Sequence, residues 1–250
     1  EDFAPFSINA HANAARNPLA RLHHPISPND YARARMICDP VNLLDSSPIG
    51  DGAAALVLGP ASQLRANGGR PRVLVVGSGA ATDSIAIHDR HQPTWLAAAE
   101  LSSRQAYGQA GIGPDQIDFF ELHDAFTISD LQTYGDIGLR PYGQEQDYIE
   151  SGDAYYINPN TGKPGKCPSN LSGGLIGTMH AVGATGIFQA AECLWQLQQK
   201  YDKFHGDSKI WKKWGKEKPE GWQSLQIPER SKQALWVSHA GVGSHVTVGI

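Results

Sequence analysis

Apolar residues fall along this chain in short continuous runs and in one helical stripe, and the two patterns predict different elements. Ala53-Ala54-Ala55-Leu56-Val57-Leu58 follows the turn signal Ile49-Gly50-Asp51-Gly52, and Arg72-Val73-Leu74-Val75-Val76-Gly77 follows a polar stretch. Both read as buried strands, continuous rather than alternating, as parallel sheets prefer. Asp115 to Leu122 reads as a third strand. Ala234-Leu235-Trp236-Val237 and Val246-Thr247-Val248 read as a closing pair around a glycine turn. Helices are expected over Pro93 to Gln109, Ala125 to Tyr134 and Gly183 to Lys200, the last with Ile187, Ala190, Ala191, Leu194 and Leu197 on one face. Residues 1–35 carry no such pattern and read as a long ordered loop or a short helical excursion outside the core. Residues 140–172, full of Gly, Pro and Asn, read as a long loop that is functional or clamped by a ligand. Strands alternating with helices, without an internal repeat, predict an α/β fold with a largely parallel sheet.

Composition narrows the class. The chain has 250 residues, 40% of them hydrophobic and 18% charged, which describes a globular protein of one large domain or two small ones. The net charge of −4 leaves no global footprint for nucleic acid or an anionic membrane. No apolar run has the length of a membrane span, and Glu1-Asp2-Phe3-Ala4-Pro5 does not read as a signal peptide. Cys38, Cys167 and Cys193 lie far apart with no CxxC pair. That spacing disfavours a disulfide framework or a cysteine zinc site and suits a reducing cytoplasm.

Three segments carry candidate chemistry. In Phe119-Phe120-Glu121-Leu122-His123-Asp124-Ala125-Phe126 an apolar strand ends on a His-Asp pair where a helix begins, and α/β folds place ligands at such strand ends. The competing reading is that His123 and Asp124 only cap the helix. The second segment, Ser172 to Gly186, surrounds His180 with glycines. These let the backbone approach a ligand closely and aim the following helix's positive end at it. A dinucleotide loop is the alternative there, but GxGxxG is absent. In the third, Val237-Ser238-His239-Ala240-Gly241, a strand enters a glycine turn whose N–H groups can form an oxyanion hole. A plain hairpin fits it equally. A Ser-His-Asp hydrolase is not supported, because no GxSxG elbow is present and the adjacent Ser238 and His239 point to opposite faces of a strand.

Taken in this order, the segments resemble the C-terminal half of thiolases of the sterol-carrier-protein type. His123-Asp124-Ala125-Phe126 is similar to that family's HD-A/C-F motif, and Met179-His180-Ala181 to its Gly-His-Pro loop. Asn13-Ala14-Ala15-Arg16-Asn17-Pro18 and Asp39 to Ala55 resemble the end of its N-terminal half. The resemblance implies the layered αβαβα thiolase fold, with residues 1–60 closing the N-terminal half and 61–250 forming the C-terminal half. It implies an acyl-CoA C-acyltransferase that cleaves or forms β-ketoacyl-CoA, with coenzyme A or acyl-CoA as substrate, no permanent cofactor and no metal. His180 would activate a nucleophilic cysteine and His123 would bind the thioester oxygen that becomes an enolate. Backbone groups of Ala240 and Gly241, and Ser172, Gly173, Phe126 and Met179, would line the oxyanion and substrate sites.

This chain departs from the family pattern in three places. Ala181 stands where the family has proline. In the third motif the family's catalytic position falls on Ser238, with the histidine displaced to His239, so either residue is a candidate for proton delivery. None of the three cysteines has the nucleophile's context, so that residue is expected from an N-terminal half outside this sequence. A retro-aldol lyase acting on β-hydroxyacyl-CoA and a non-catalytic thiolase-like scaffold subunit are the alternatives. Partners implied are other thiolase subunits in a homo-oligomer and a small zinc-ribbon/OB-fold protein. The segment 201–230, with Trp211, Trp214 and Trp222 among lysines, is expected as an exposed insertion that meets such a partner. Its rival readings are that the tryptophans fold back onto their own domain and that the lysines meet the phosphates of coenzyme A.

Overall fold

The computed structural model describes residues 2–63, 72–240 and 243–250. In chain order the elements begin with helices α1 (Ala4–Ala14) and α2 (Pro28–Ala32) and the short hairpin β1 (Met36–Cys38) and β2 (Val41–Asn42). Strand β3 (Ser78–Thr82), helix α3 (Ala97–Ala110), strand β4 (Phe119–Glu121) and helix α4 (Thr127–Asp136) follow. Then come α5 (Gln146–Glu150), α6 (Gly174–Gly177), α7 (Thr185–Leu197), α8 (Tyr201–His205) and α9 (Ser208–Lys213), and the strands β5 (Ala234–Ala240) and β6 (His245–Gly249) close the chain.

The main sheet has the order β3-β6-β5-β4, and only β4 and β5 run parallel. The sheet is therefore mixed rather than largely parallel. β5 ends at Ala240 and β6 starts at His245, and so short a stretch of sequence permits only antiparallel pairing. Helix α3 packs on one face, so close that a Cβ on Gly79 would stand 1.9 Å from the Ser102 carbonyl oxygen. Helix α7 covers β4 and β5 on the other face, where Gln189 donates to the Val237 carbonyl at 2.8 Å. One apolar core lies under α3 and α4 around Phe120, Leu122, Tyr134 and Val237. A second lies around Phe119, Leu171, Cys193, Tyr201 and Leu225. Among the described residues no helix is long and apolar enough to cross a membrane.

Several elements differ from the sequence reading. Ala53–Leu58 is not a buried strand: it runs without ladder partners, and Val57 and Leu58 are largely exposed. The run at residues 72–77 joins the sheet only at its end, where Val76 N–H donates to the Ile250 carbonyl at 2.8 Å, and the strand proper starts at Ser78. A continuous apolar run demands cover, yet Val57, Leu58, Leu74, Val75 and Val76 are exposed, and of the second run only Gly77 is buried, close against Ala106 of α3. The division expected after residue 60 lies beside residues 64–71, which are outside the described set. The helix predicted from Pro93 starts at Ala97, and the one predicted from Ala125 starts at Thr127.

The largest departure is α1, because its buried residues include Phe6, Ala10 and Ala14 within a stretch expected outside the core. Its remaining buried positions are polar, and all but His11, which bonds the Ser7 carbonyl, are tied to distant backbone. Ser7 Oγ donates to the Leu44 carbonyl at 2.6 Å, and Asn13 Nδ2 to that of Asn170 at 3.0 Å. Polar groups buried with partners cost little, so a helix can be internal without an apolar stripe.

Residues 201–230 also fold back rather than project. Trp211 is 1% exposed and its indole N–H donates to the His205 carbonyl at 2.7 Å. Trp222 donates to the Arg16 carbonyl at 2.9 Å, and Lys216 Nζ donates to the carbonyls of Pro18 and Ala20. Only Trp214 of the three tryptophans is largely exposed. The physical reason is the indole's apolar body, which pulls each ring inward once its N–H finds an acceptor.

Candidate active site

Two loops and the last residues of a strand bring three imidazoles together. His123 follows β4, His180 follows α6, and His239 sits near the end of β5. The rings of His123 and His180 meet edge to face with centroids 4.9 Å apart, and those of His123 and His239 stack at 5.3 Å. His123 is 5% exposed, and its Nδ1 has no hydrogen-bond partner, nor has Nε2 of His239. Burial holds all three rings below the usual imidazole range, His123 down to about 2 and His239 to about 4, with the two neighbouring imidazoles adding to the effect at His123. At neutral pH the cluster is therefore uncharged and carries both N–H donors and free nitrogen acceptors. Despite the gathering of histidines, no group of three or more His, Cys, Asp or Glu among the described residues is arranged to hold a metal ion.

The loop bearing His180 is fixed from several sides. His180 N–H donates to the Pro48 carbonyl at 2.7 Å, and Gly50 N–H returns a bond to the His180 carbonyl at 3.2 Å. Its Nδ1 lies 3.0 Å from Thr185 Oγ1 at the start of α7, which orients the ring. Two non-glycine residues beside it hold positive φ, Met179 at 153° and Val182 at 37°. Such backbone persists only where surrounding contacts impose it, and it gathers at functional sites.

Asp124 is the tie between the His123 and His180 loops. It is fully buried, and its Oδ1 accepts the Leu175 N–H at 2.7 Å while Oδ2 accepts that of Ile176 at 3.4 Å. It thus caps α6 across the chain rather than the helix that follows it. Gly174, at φ +60°, makes the space: a Cβ there would stand 2.1 Å from Asp124 Oδ2. Burial raises this carboxyl to about 7. Nothing in the sequence signals this long-range cap apart from the glycines at 173 and 174.

The other expected site residues fall in different places. Ser238 lies against α7, where a Cβ on Gly186 would come within 3.0 Å of its hydroxyl, while His239 joins the cluster. Strand alternation produces this split, since neighbours on β5 leave opposite faces. Ala240 is exposed at the strand's end and its carbonyl accepts from Ser244 Oγ at 3.3 Å. Gly241 lies outside the described residues. Ser172 is turned inward, its hydroxyl donating to Glu121 Oε2 at 2.6 Å and its N–H to Oε1 at 3.0 Å. Gly173, at φ +101°, packs on Ala14 of α1. Met179 lies over Gly50, and Phe126 is 46% exposed beside Ser46. Of the cysteines, Cys167 and Cys193 are buried with their thiols pushed up, mainly by burial, and Cys38 is exposed on β1.

Residues 79–207 match the family model described as thiolase C-terminal domain-like. The chain is 38% identical to an acetyl-CoA acetyltransferase of Methanothermobacter thermautotrophicus over 81% of its own length and 51% of that protein. It is 30% identical to sterol carrier protein 2 of Rattus norvegicus over 81% of its length and 37% of that protein. Thus the chain spans about half the length of the curated acetyltransferases it matches, and less of the longer relatives. Its fold superposes on a chain of the Ltp2-ChsH2(DUF35) aldolase with a TM-score of 0.72 at 20% identity, covering 99% of this chain and 57% of that one.

Proposed function

Because the chain belongs to the thiolase C-terminal domain-like family, we propose that it supplies the oxyanion-binding and proton-handling half of an acyl-CoA C-acyltransferase that cleaves or forms β-ketoacyl-CoA. The observation that carries this reading is the convergence of three neutral imidazoles, two of them with a buried nitrogen left unpartnered. Carbon–carbon cleavage of a β-ketoacyl thioester sends an electron pair onto the thioester oxygen, giving an enolate. A neutral imidazole N–H preorganised in a buried site stabilises that oxygen far better than water does. His123, central to the cluster, is placed for this. His180, oriented by Thr185, is the base that takes the proton of the attacking thiol, and that proton is returned to the enolate carbon with His239 as its relay, so that all three imidazoles end neutral. The nucleophilic cysteine would come from the complementary half, since no cysteine among the described residues accompanies the imidazoles. Homo-oligomeric assembly and a small zinc-ribbon/OB-fold partner belong to the same proposal. The aldolase neighbour, Ltp2-ChsH2(DUF35), is named for a pairing with a DUF35 protein, which supports the latter.

A second reading is favoured by one observation, that the third motif brings the imidazole of His239 to the cluster. Three imidazoles suffice for retro-aldol cleavage of a β-hydroxyacyl-CoA: one removes the hydroxyl proton and another holds the enolate oxygen, with no covalent intermediate. Assaying the complete enzyme on both substrate types separates the two readings. Thiolysis requires added coenzyme A and should fall about a hundredfold or more in His180→Ala, whereas lyase activity proceeds without coenzyme A. Unchanged turnover on both substrates in His123→Ala and in His180→Ala would end both readings.

A further inference from the structure

At the far end of α4 from His123, a cavity of about 530 Å³ opens between α3, α4 and the strap at residues 91–95. Trp95, Tyr107 and Tyr142 contribute aromatic walls, and Asp136 lies among the lining residues, only 5% exposed. One of its oxygens accepts the Leu96 N–H at 3.3 Å, and the other has no hydrogen bond to the described protein. The rim is built rather than loose. Tyr142 and Thr94 join hydroxyl to hydroxyl at 2.5 Å, and Gln132 donates to the Thr94 carbonyl at 3.1 Å.

We propose that this cavity binds a small organic ammonium ion, its cationic head at Asp136 and its apolar body against the aromatic rings. The charge pattern selects a cation. Arg104, the one arginine lining the cavity, is already engaged with Glu100 at 3.1 Å. Glu145 leans over α4 beside Asp136, where a Cβ on Gly135 would stand 2.5 Å from its Oε1. Burial first, then Glu145 and Glu100, push the Asp136 carboxyl up to about 8. The titratable groups around it are thus Glu100 and Arg104 from α3, Glu145 before α5, and His91 from the strap. An arriving cation supplies the missing counter-charge and displaces the carboxyl proton. Affinity should therefore strengthen as pH rises toward and through about 8. Aromatic faces add attraction for a cation that they lack for a neutral molecule of the same shape. The proposal is independent of the imidazole cluster and of the acyl-transfer reading.

Isothermal titration calorimetry on the complete chain tests it, with choline and its uncharged carbon isostere dimethylbutanol as probes. Choline should bind about tenfold or more tightly than the isostere, and more tightly at about pH 9 than at about pH 6. Asp136→Asn, with its fold checked by circular dichroism, should bring the two probes to equal affinity. Should that variant fail to fold, Trp95→Leu replaces it and should lower choline affinity more than isostere affinity. Absence of any choline preference in the unmodified chain, a preference that survives in folded Asp136→Asn, or one left undiminished in Trp95→Leu, overturns the proposal.

Discussion

Replacing Asp124 by asparagine should change how stability depends on pH more than it changes stability itself. The carboxyl is held at about 7 in the fold against an ordinary 3.8, so the folded chain binds its proton more tightly than the unfolded chain does. A group shifted upward in this way contributes stability that is present below its unfolded value and is lost as pH rises through its folded value. The window is therefore about pH 4 to about pH 7, and a shift of roughly three units corresponds to on the order of 4 kcal/mol. Asparagine is neutral throughout, and its Oδ1 can still accept the Leu175 N–H. Its amide meets the Ile176 N–H as a second donor, a cost of about 1–2 kcal/mol that does not vary with pH. Urea unfolding of both proteins at about pH 4 and about pH 8 measures the effect, because groups common to the two cancel in the difference. The variant should be the less stable at the lower pH and should recover by a few kcal/mol relative to the parent at the higher. Glu121 and Asp130, buried nearby and likewise pushed up, act in the same direction, because an uncharged residue 124 relieves them as well. An identical difference at both pH values, or a change of opposite sign, would refute the burial argument.

Gly174→Ala should destabilise the fold by about 2 kcal/mol or more and lower turnover, since the added methyl collides with Asp124 and the backbone there has positive φ; thermal melting together with kcat checks both parts. His205→Ala should cost about 3 kcal/mol, because the fully buried His205 lies 3.3 Å from Glu192 and stacks on Tyr201, and its loss leaves Glu192 without that partner. Denaturant midpoints at neutral pH would show it, and an unchanged midpoint would sink the idea.

The imidazole cluster was legible because glycine, histidine and strand ends are local signals. His123 and His180 can be picked out from their own surroundings without knowing what lies across the sheet. The choice between Ser238 and His239 was not legible, since it depends on where β5 begins its alternation. Helix α1 escaped notice for a different reason. Its burial is secured by Ser7 and Asn13 bonding to residues far along the chain, and no periodicity records a partner more than 150 positions away. Asp124 illustrates the same limit, because a carboxylate beside a helix start looks like that helix's cap until the loop at 174–176 is placed. The apolar runs at 53–58 and 72–77 were read as buried strands, but neither forms a strand and most of their large side chains are exposed. Composition shows that a segment needs cover and is silent on what provides it.

Those same two runs have a colloidal consequence. Val57 and Leu58 stand almost wholly in solvent, with Leu74, Val75 and Val76 about half exposed, and none of the five carries a charge. Exposed apolar and β-branched side chains on a segment outside the ladder form a template onto which another strand adds. In solution on its own, this polypeptide should therefore self-associate steeply with concentration, adding edge to edge without a closed stoichiometry. A lysine at position 57 or 75 would act as a gatekeeper against that growth without touching the imidazoles.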